Sequence, residues 1–169
     1  MDTTSKFWCE KGHFNKDQAD YFQELVLKHN PKFVLETGFC TGRSTFSILN
    51  CAKDLKKMIT IDINFDYMKP QGREMRKLLT SEFSNLVTIE NSSQNVIDEN
   101  FMRENFKDGI DWFTVDGDHS YNGCLFDMTT VYKYMNKGGI MIIDDYKSGP
   151  PNGCHLPNVT KACDDFHKM

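Results

Sequence analysis

The 169-residue sequence predicts an α/β fold built on a doubly wound parallel sheet with helices on both faces. Three observations carry this expectation. Short apolar runs alternate with stretches of helical periodicity from Asn15 onward. A glycine-containing turn, Glu36 to Ser44, joins the first apolar run to the helix after it. Acids close several of the later runs, where open α/β sheets place their ligands.

The elements follow in order. "NKDQADYFQELVLKH" from Asn15 predicts a helix, with Asn15 as cap and Gln18 at the capping-box position. Ala19, Phe22, Val26 and His29 share one face, and Pro31 ends the helix. "KFVLET" (32–37) is a short apolar strand. "RSTFSILNCAK" (43–53) is helical, with Phe46, Leu49 and Ala52 near one face. "MITID" (58–62) is the second strand, and residues 67–83 are helical beyond Pro70. "LVTIE" (86–90) is the third strand, and 93–106 reads as a weaker helix. "WFTVD" (112–116) is the fourth strand. From Ser120, Tyr121, Leu125, Met128, Tyr132 and Met135 recur at helical spacing, and Gly138 and Gly139 close that helix. "IMIIDD" (140–145) is the fifth strand, and a last helix starts near Val159.

Composition excludes several classes. Apolar residues make up 39% and charged residues 26%, which suits a water-soluble domain with a real core. The net charge is −4 and no basic block occurs, so nucleic acid is not an expected partner. No apolar stretch reaches the roughly 18 residues of a membrane span. The N-terminus lacks the apolar core of a signal peptide. Six scattered cysteines without a CxxC are expected as reduced thiols in the cytoplasm. The sequons at Asn91 and Asn158 carry little weight without a secretory signal. The whole chain, 1–169, reads as a single domain, with residues 1–14 either a lid or packed on the core.

The turn "ETGFCTGRS" matches neither common phosphate cradle. GxGxxG needs a glycine where Cys40 stands, and a P-loop needs one more residue before the second glycine and a Lys in place of Arg43. What survives is a turn that lets a ligand touch backbone, with a helix N-terminus beyond it to receive an anion. Glu36, at the end of a buried strand, suits a cationic group. Asp62 lies 24 residues after Gly38, near where a ribose-binding carboxylate stands in nucleoside-binding α/β folds. A ligand with a nucleoside and an amino-acid tail satisfies both, and S-adenosylmethionine is one.

"VLETGFCTGRSTFSIL", "WFTVDGDHSYNGCLFDM", "NKGGIMIIDDY" and "NVTKACDDF" resemble, in order and spacing, the class I S-adenosylmethionine-dependent methyltransferases. They look most like the macrocin O-methyltransferase-like group of metal-dependent sugar O-methyltransferases. The resemblance covers residues 12–167 and implies a Rossmann-like sheet of order 3-2-1-4-5. The usual strands six and seven are lacking: the sequence is truncated, or is a minimal form, or a partner covers the open edge, and the last favours a homodimer. By the resemblance, Glu36, Thr37, Gly38, Gly42 and Ser44 surround the methionine part of the cofactor. Asp62 holds the ribose, and Asn91 and Ser92 lie near the adenine. Asp116, also beside the cofactor, joins Asp144 and Asp145 as ligands of a divalent metal, Mg²⁺ or Mn²⁺. His119 stands at the position of a catalytic base, with Asp118 the second candidate.

Physical chemistry gives the acids a reason to be there. If strands four and five are neighbours, Asp116 and Asp144/Asp145 converge. Two like charges 4 Å apart repel by roughly 4 kcal/mol at an effective dielectric of about 20. Three such charges call for a shared proton or a cation, and oxygen ligands favour Mg²⁺. A cation also explains how a hydroxyl becomes a nucleophile toward a sulfonium methyl group. A sugar or catechol diol offers two oxygens to chelate. Other readings stay open at this point. Asp118 could cap the following helix, and His119 could be hydrogen-bonded structure. Tyr121 and Tyr146 line the acceptor pocket or simply pack. "DGDHS" also mimics the start of an EF-hand, but Tyr121 stands where that loop needs glycine. The competing functions are a non-catalytic or truncated S-adenosylmethionine-binding protein and an NAD(P)-dependent oxidoreductase.

Overall fold

The computed structural model describes Lys6 and residues 15–66, 70–147 and 156–169. The possible lid, 1–14 apart from Lys6, lies outside the described residues. Helix α1 (Lys16–His29) opens with the predicted capping box: the Asn15 side chain accepts from the Gln18 backbone N–H, and the Gln18 side chain returns the bond. Ala19, Phe22 and Val26 are buried, but His29 is exposed. The helix ends one residue before Pro31, at Asn30, which adopts a left-handed conformation with φ 45°.

The chain then runs through β1 (Phe33–Thr37), α2 (Arg43–Cys51), β2 (Lys57–Asp62), α3 (Gln71–Glu82) and β3 (Leu86–Glu90). It continues through α4 (Ser93–Val96), α5 (Glu99–Asn105), β4 (Ile110–Val115), α6 (Tyr121–Tyr132), β5 (Met135–Ile143) and α7 (Pro157–Phe166). The five strands are all parallel, in the order β3-β2-β1-β4-β5. This is the order expected from the sequence, and no sixth or seventh strand occurs among the described residues.

Both faces of the sheet are covered, which is why its central strands β1, β2 and β4 are buried on nearly every residue rather than on alternate ones. On one face α1, α2 and α3 pack Phe22, Val26, Phe46, Leu49 and Leu79 against Val34, Met58 and Trp112. On the other, α5, α6 and α7 pack Met102, Met128 and Val159 against Leu35, Ile59 and Phe113. Trp112 and Phe113 are adjacent and face opposite cores, as strand geometry requires.

Three local expectations are corrected. The single helix over 93–106 is two, because Ile97 is extended and Asp98 starts α5 by accepting from the Phe101 N–H. Gly138 and Gly139 do not close α6, which ends at Tyr132; they and Met135 belong to β5. There the register with β4 shifts between Ile110 and Trp112, and Gly138, with φ 85°, takes up the irregularity. The last helix begins at Pro157, a residue suited to a first turn because it has no N–H to satisfy.

Candidate functional site

The glycine turn is held by contacts from three strands. Gly38 has φ 90° and donates its N–H to the Ile61 carbonyl at 2.8 Å. A Cβ on Gly38 would lie 2.0 Å from the Asp116 carbonyl oxygen, so only glycine lets the ends of β1 and β4 approach this closely. Cys40 and Gly42 also have positive φ, 50° and 72°. From β2, Asp62 accepts from the backbone N–H groups of Phe39 at 2.7 Å, Cys40 at 3.2 Å and Asn64 at 2.8 Å. The turn therefore wraps around one carboxylate. No side chain caps α2, whose N-terminus opens at the same place.

Glu36 lies beneath the turn, fully buried. Its carboxyl accepts from Ser44 Oγ at 2.7 Å and from Thr45 Oγ1. Burial pushes its pKa up to about 7, and the charge on Asp116 adds to the rise; the hydroxyls of Thr45, Ser44 and Thr60 oppose it. Glu36 thus anchors the first turn of α2 from below. At the end of β3, the Asn91 N–H donates to the Asp62 carbonyl at 3.0 Å, and its side chain accepts from the Ser92 N–H at 2.8 Å.

The acids converge one strand further on. Val115 pairs with Ile143, so Asp116 and Asp144 leave neighbouring strands side by side. Their backbones are tied in: the Asp116 N–H donates to the Thr37 carbonyl at 2.9 Å, and the Asp144 N–H to that of Val115 at 3.0 Å. Asp145 is left-handed, with φ 58°, an uncommon state for a non-glycine residue. It brings Asp145 Oδ2 to 3.2 Å from His119 Nε2, while Asp116 Oδ1 lies at 3.4 Å from the same nitrogen. The hydrogen bond to Asp116 raises the His119 pKa, burial opposes the rise, and the charges of Asp116, Asp145 and Asp144 add to it. Burial, then the charges of Asp116 and Asp145, pushes Asp144 up to about 6. Among the described residues, no group of three or more His, Cys, Asp or Glu is arranged to hold a metal ion. The donor chemistry nevertheless suits a hard cation, because Asp116, Asp144 and Asp145 offer only oxygen.

Asp118 is exposed and accepts from the Ser120 N–H at 2.8 Å. The helix cap is Ser120, whose Oγ accepts from the Gly123 N–H. Tyr121 and Tyr146 both donate to α7, to Asp165 at 3.1 Å and Asp164 at 2.9 Å. Among the buried polar residues that sequence reasoning missed are Arg43, Thr45, Ser93 and Asp127. Asp127 was findable, since helical spacing puts it on one face with Cys124, Met128 and Val131, all buried.

Solved structures of other proteins share this fold. The O-methyltransferase from Bacillus cereus, solved with S-adenosylhomocysteine, superposes with TM-score 0.71 at 13% identity, over 94% of this chain and 73% of that one. The O-methyltransferase TomG from Streptomyces achromogenes, solved with S-adenosylmethionine, gives 0.67 at 12% identity, over 92% and 70%. At these identities the likeness is one of fold. An uncharacterized protein of Acanthamoeba polyphaga mimivirus is 40% identical over 58 residues, 34% of this chain and only 26% of the relative's length. The family model described as a methyltransferase domain matches residues 35–146, from the middle of β1 to just past the Asp144-Asp145 pair. That match spans more than half of the chain and both halves of the site, and it shows that the chain belongs to the methyltransferase domain family.

Proposed function

We propose that the protein transfers the methyl group of S-adenosylmethionine to a hydroxyl of a small molecule, a sugar or another vicinal diol or catechol, with help from a divalent cation. The observation that carries this reading is the juxtaposition of a backbone-lined turn, closed on Asp62, with the Asp116–His119–Asp145 cluster at the same end of the sheet. The S-adenosylhomocysteine and S-adenosylmethionine in the two O-methyltransferase neighbours support the choice of cofactor.

In this reading the bare backbone of Thr37, Gly38 and Gly42, with Ser44 and the uncapped N-terminus of α2, receives the methionine part, and Glu36 braces it from below. Asp62 keeps lone pairs for the ribose hydroxyls, since a carboxylate accepts about four bonds and three amides use it here. Asn91 and Ser92 border the adenine, and Asp116 borders the reacting end. In the reaction an acceptor oxygen forms a bond to the methyl carbon as the carbon–sulfur bond breaks, and the sulfonium becomes a neutral thioether. Neutral His119 accepts the hydroxyl proton, held in place by Asp116 and Asp145; Asp118, exposed at the rim, is the second candidate base. Asp116, Asp144 and Asp145 would hold Mg²⁺ or Mn²⁺, which would lower the pKa of the acceptor hydroxyl. Two features support this: the oxygen-only donor set, and the rise in Asp144 that its acidic neighbours help cause. Among the described residues β5 is an edge strand, which supports a homodimer, and the unbridged thiols of Cys51, Cys124 and Cys163 support a cytoplasmic setting.

Calorimetry with S-adenosylhomocysteine and NADH tests the cofactor, and labelled-methyl transfer to a panel of diols tests the chemistry. S-adenosylhomocysteine should bind and NADH should not. Transfer should require Mg²⁺, stop with EDTA, and fall at least about tenfold in Asp144→Ala, about 1.4 kcal/mol of barrier. Binding of NADH alone would sink the cofactor. Equal turnover of Asp144→Ala in EDTA and wild type in Mg²⁺ would remove the metal.

A further inference from the structure

Helix α6 carries an acid that neither core nor active cluster accounts for. Asp127 is 0% exposed, and neither of its carboxylate oxygens has a hydrogen-bond partner among the described residues. Thr37, at the end of β1, is 1% exposed, and its hydroxyl has none either. Burial pushes the Asp127 carboxyl up to about 6, and the neighbouring hydroxyls of Ser93 and Thr37 work against that rise. Ser93 is itself buried, at the start of α4. Gly117 presses on Thr37 from the β4 side, since a Cβ there would lie 3.1 Å from Thr37 Cβ. Three segments that frame the proposed cleft thus meet at one carboxylate: the turn after β1, the helix after β3, and the helix after β4.

We propose that Asp127 is a positioning residue for the cofactor: when the cleft is filled, its carboxylate accepts hydrogen bonds from Thr37 and Ser93 and fixes the ends of β1 and β3 at the cofactor's spacing. The inference rests on the S-adenosylmethionine reading. A buried carboxylate without partners is costly, so making both bonds on loading favours the bound form. Asp127 is sealed from the cleft and acts only through the two hydroxyls, one on the methionine side and one on the adenine side.

Calorimetric titration of S-adenosylhomocysteine into wild type, Asp127→Ala, Asp127→Asn, Ser93→Ala and the Asp127→Ala/Ser93→Ala pair tests it. Asp127→Ala should weaken affinity at least about tenfold, while Asp127→Asn, whose amide oxygen accepts the same bonds, stays within about threefold. Ser93→Ala should weaken affinity when Asp127 is present and add little when it is not. If Asp127→Ala does not fold, Ser93→Ala and Asp127→Asn carry the test. Unchanged affinity in Ser93→Ala, or in a folded Asp127→Ala with a lowered melting temperature, would mean a purely structural acid and overturn the proposal. Loss in Asp127→Asn equal to that in Asp127→Ala would overturn it too. If wild type binds no S-adenosylhomocysteine, the cofactor reading falls first and this inference with it.

Discussion

Glu36 shows how one side chain can tie stability to the site. Its pKa stands near 7 in the fold against an ordinary 4.5, so between those values the folded protein holds a proton that the unfolded chain has lost. Its contribution to stability is then complete below about pH 4.5 and declines as pH rises toward 7, by about 3 kcal/mol in all. Urea melts across this range should show the decline, and Glu36→Gln should flatten it; an unchanged slope in the variant would count against the buried acid. The charged residues around it differed in legibility. Asp116, His119, Asp144 and Asp145 announced themselves as charge at the ends of apolar runs. Asp127 did not, because an acid within a helix reads as surface unless its face is followed turn by turn. The left-handed backbone of Asp145, which turns its carboxylate onto His119, leaves no trace in composition or spacing.

Among the elements, α1 is the one whose start was written most plainly. Asn15 and Gln18 satisfy each other's backbone N–H groups, two of the donors that a helix start leaves orphaned. Asn15→Ala should cost about 1 kcal/mol in chemical denaturation, with the midpoint lowered and the slope unchanged. A loss confined to noise would show that packing of Ala19, Phe22 and Val26 alone sets this end of the helix. Elsewhere the boundaries were less legible. Gly138 and Gly139 have the composition of a helix stop, yet the Ile110 N–H pairs with the Tyr134 carbonyl and draws Met135 into the sheet. Pairing with a neighbouring strand outweighed the local signal. The break at Ile97 is of the same kind, since Ile97 is buried in the core beneath the sheet and not on a continuous helix face.

At the scale of the molecule, β4 is the strand on which the rest depends. It lies between β1 and β5, and it sends Trp112 into one core and Phe113 into the other. Trp112 is fully enclosed, meets Phe22 edge-on at 5.3 Å and donates its indole N–H to Thr114 at 3.0 Å. Trp112→Phe should cost about 2 kcal/mol through the void and the unpaired hydroxyl it leaves, read as a lower urea midpoint. A loss of a few tenths would show that the first core closes over the gap. Asp116 follows directly on the same strand, so the core and the candidate site share one register. The sequence by itself determined the alternation of strands and helices, the glycine turn and the acids that end the strands. These are local: apolar period, turn residues and caps are each set by neighbours a few positions away. Only the tertiary structure decided that Asp62 closes the turn, that Asp145 meets His119 and that Asp127 lies against Thr37 and Ser93. Those residues lie far apart in the chain, and strand pairing and helix packing alone make them neighbours.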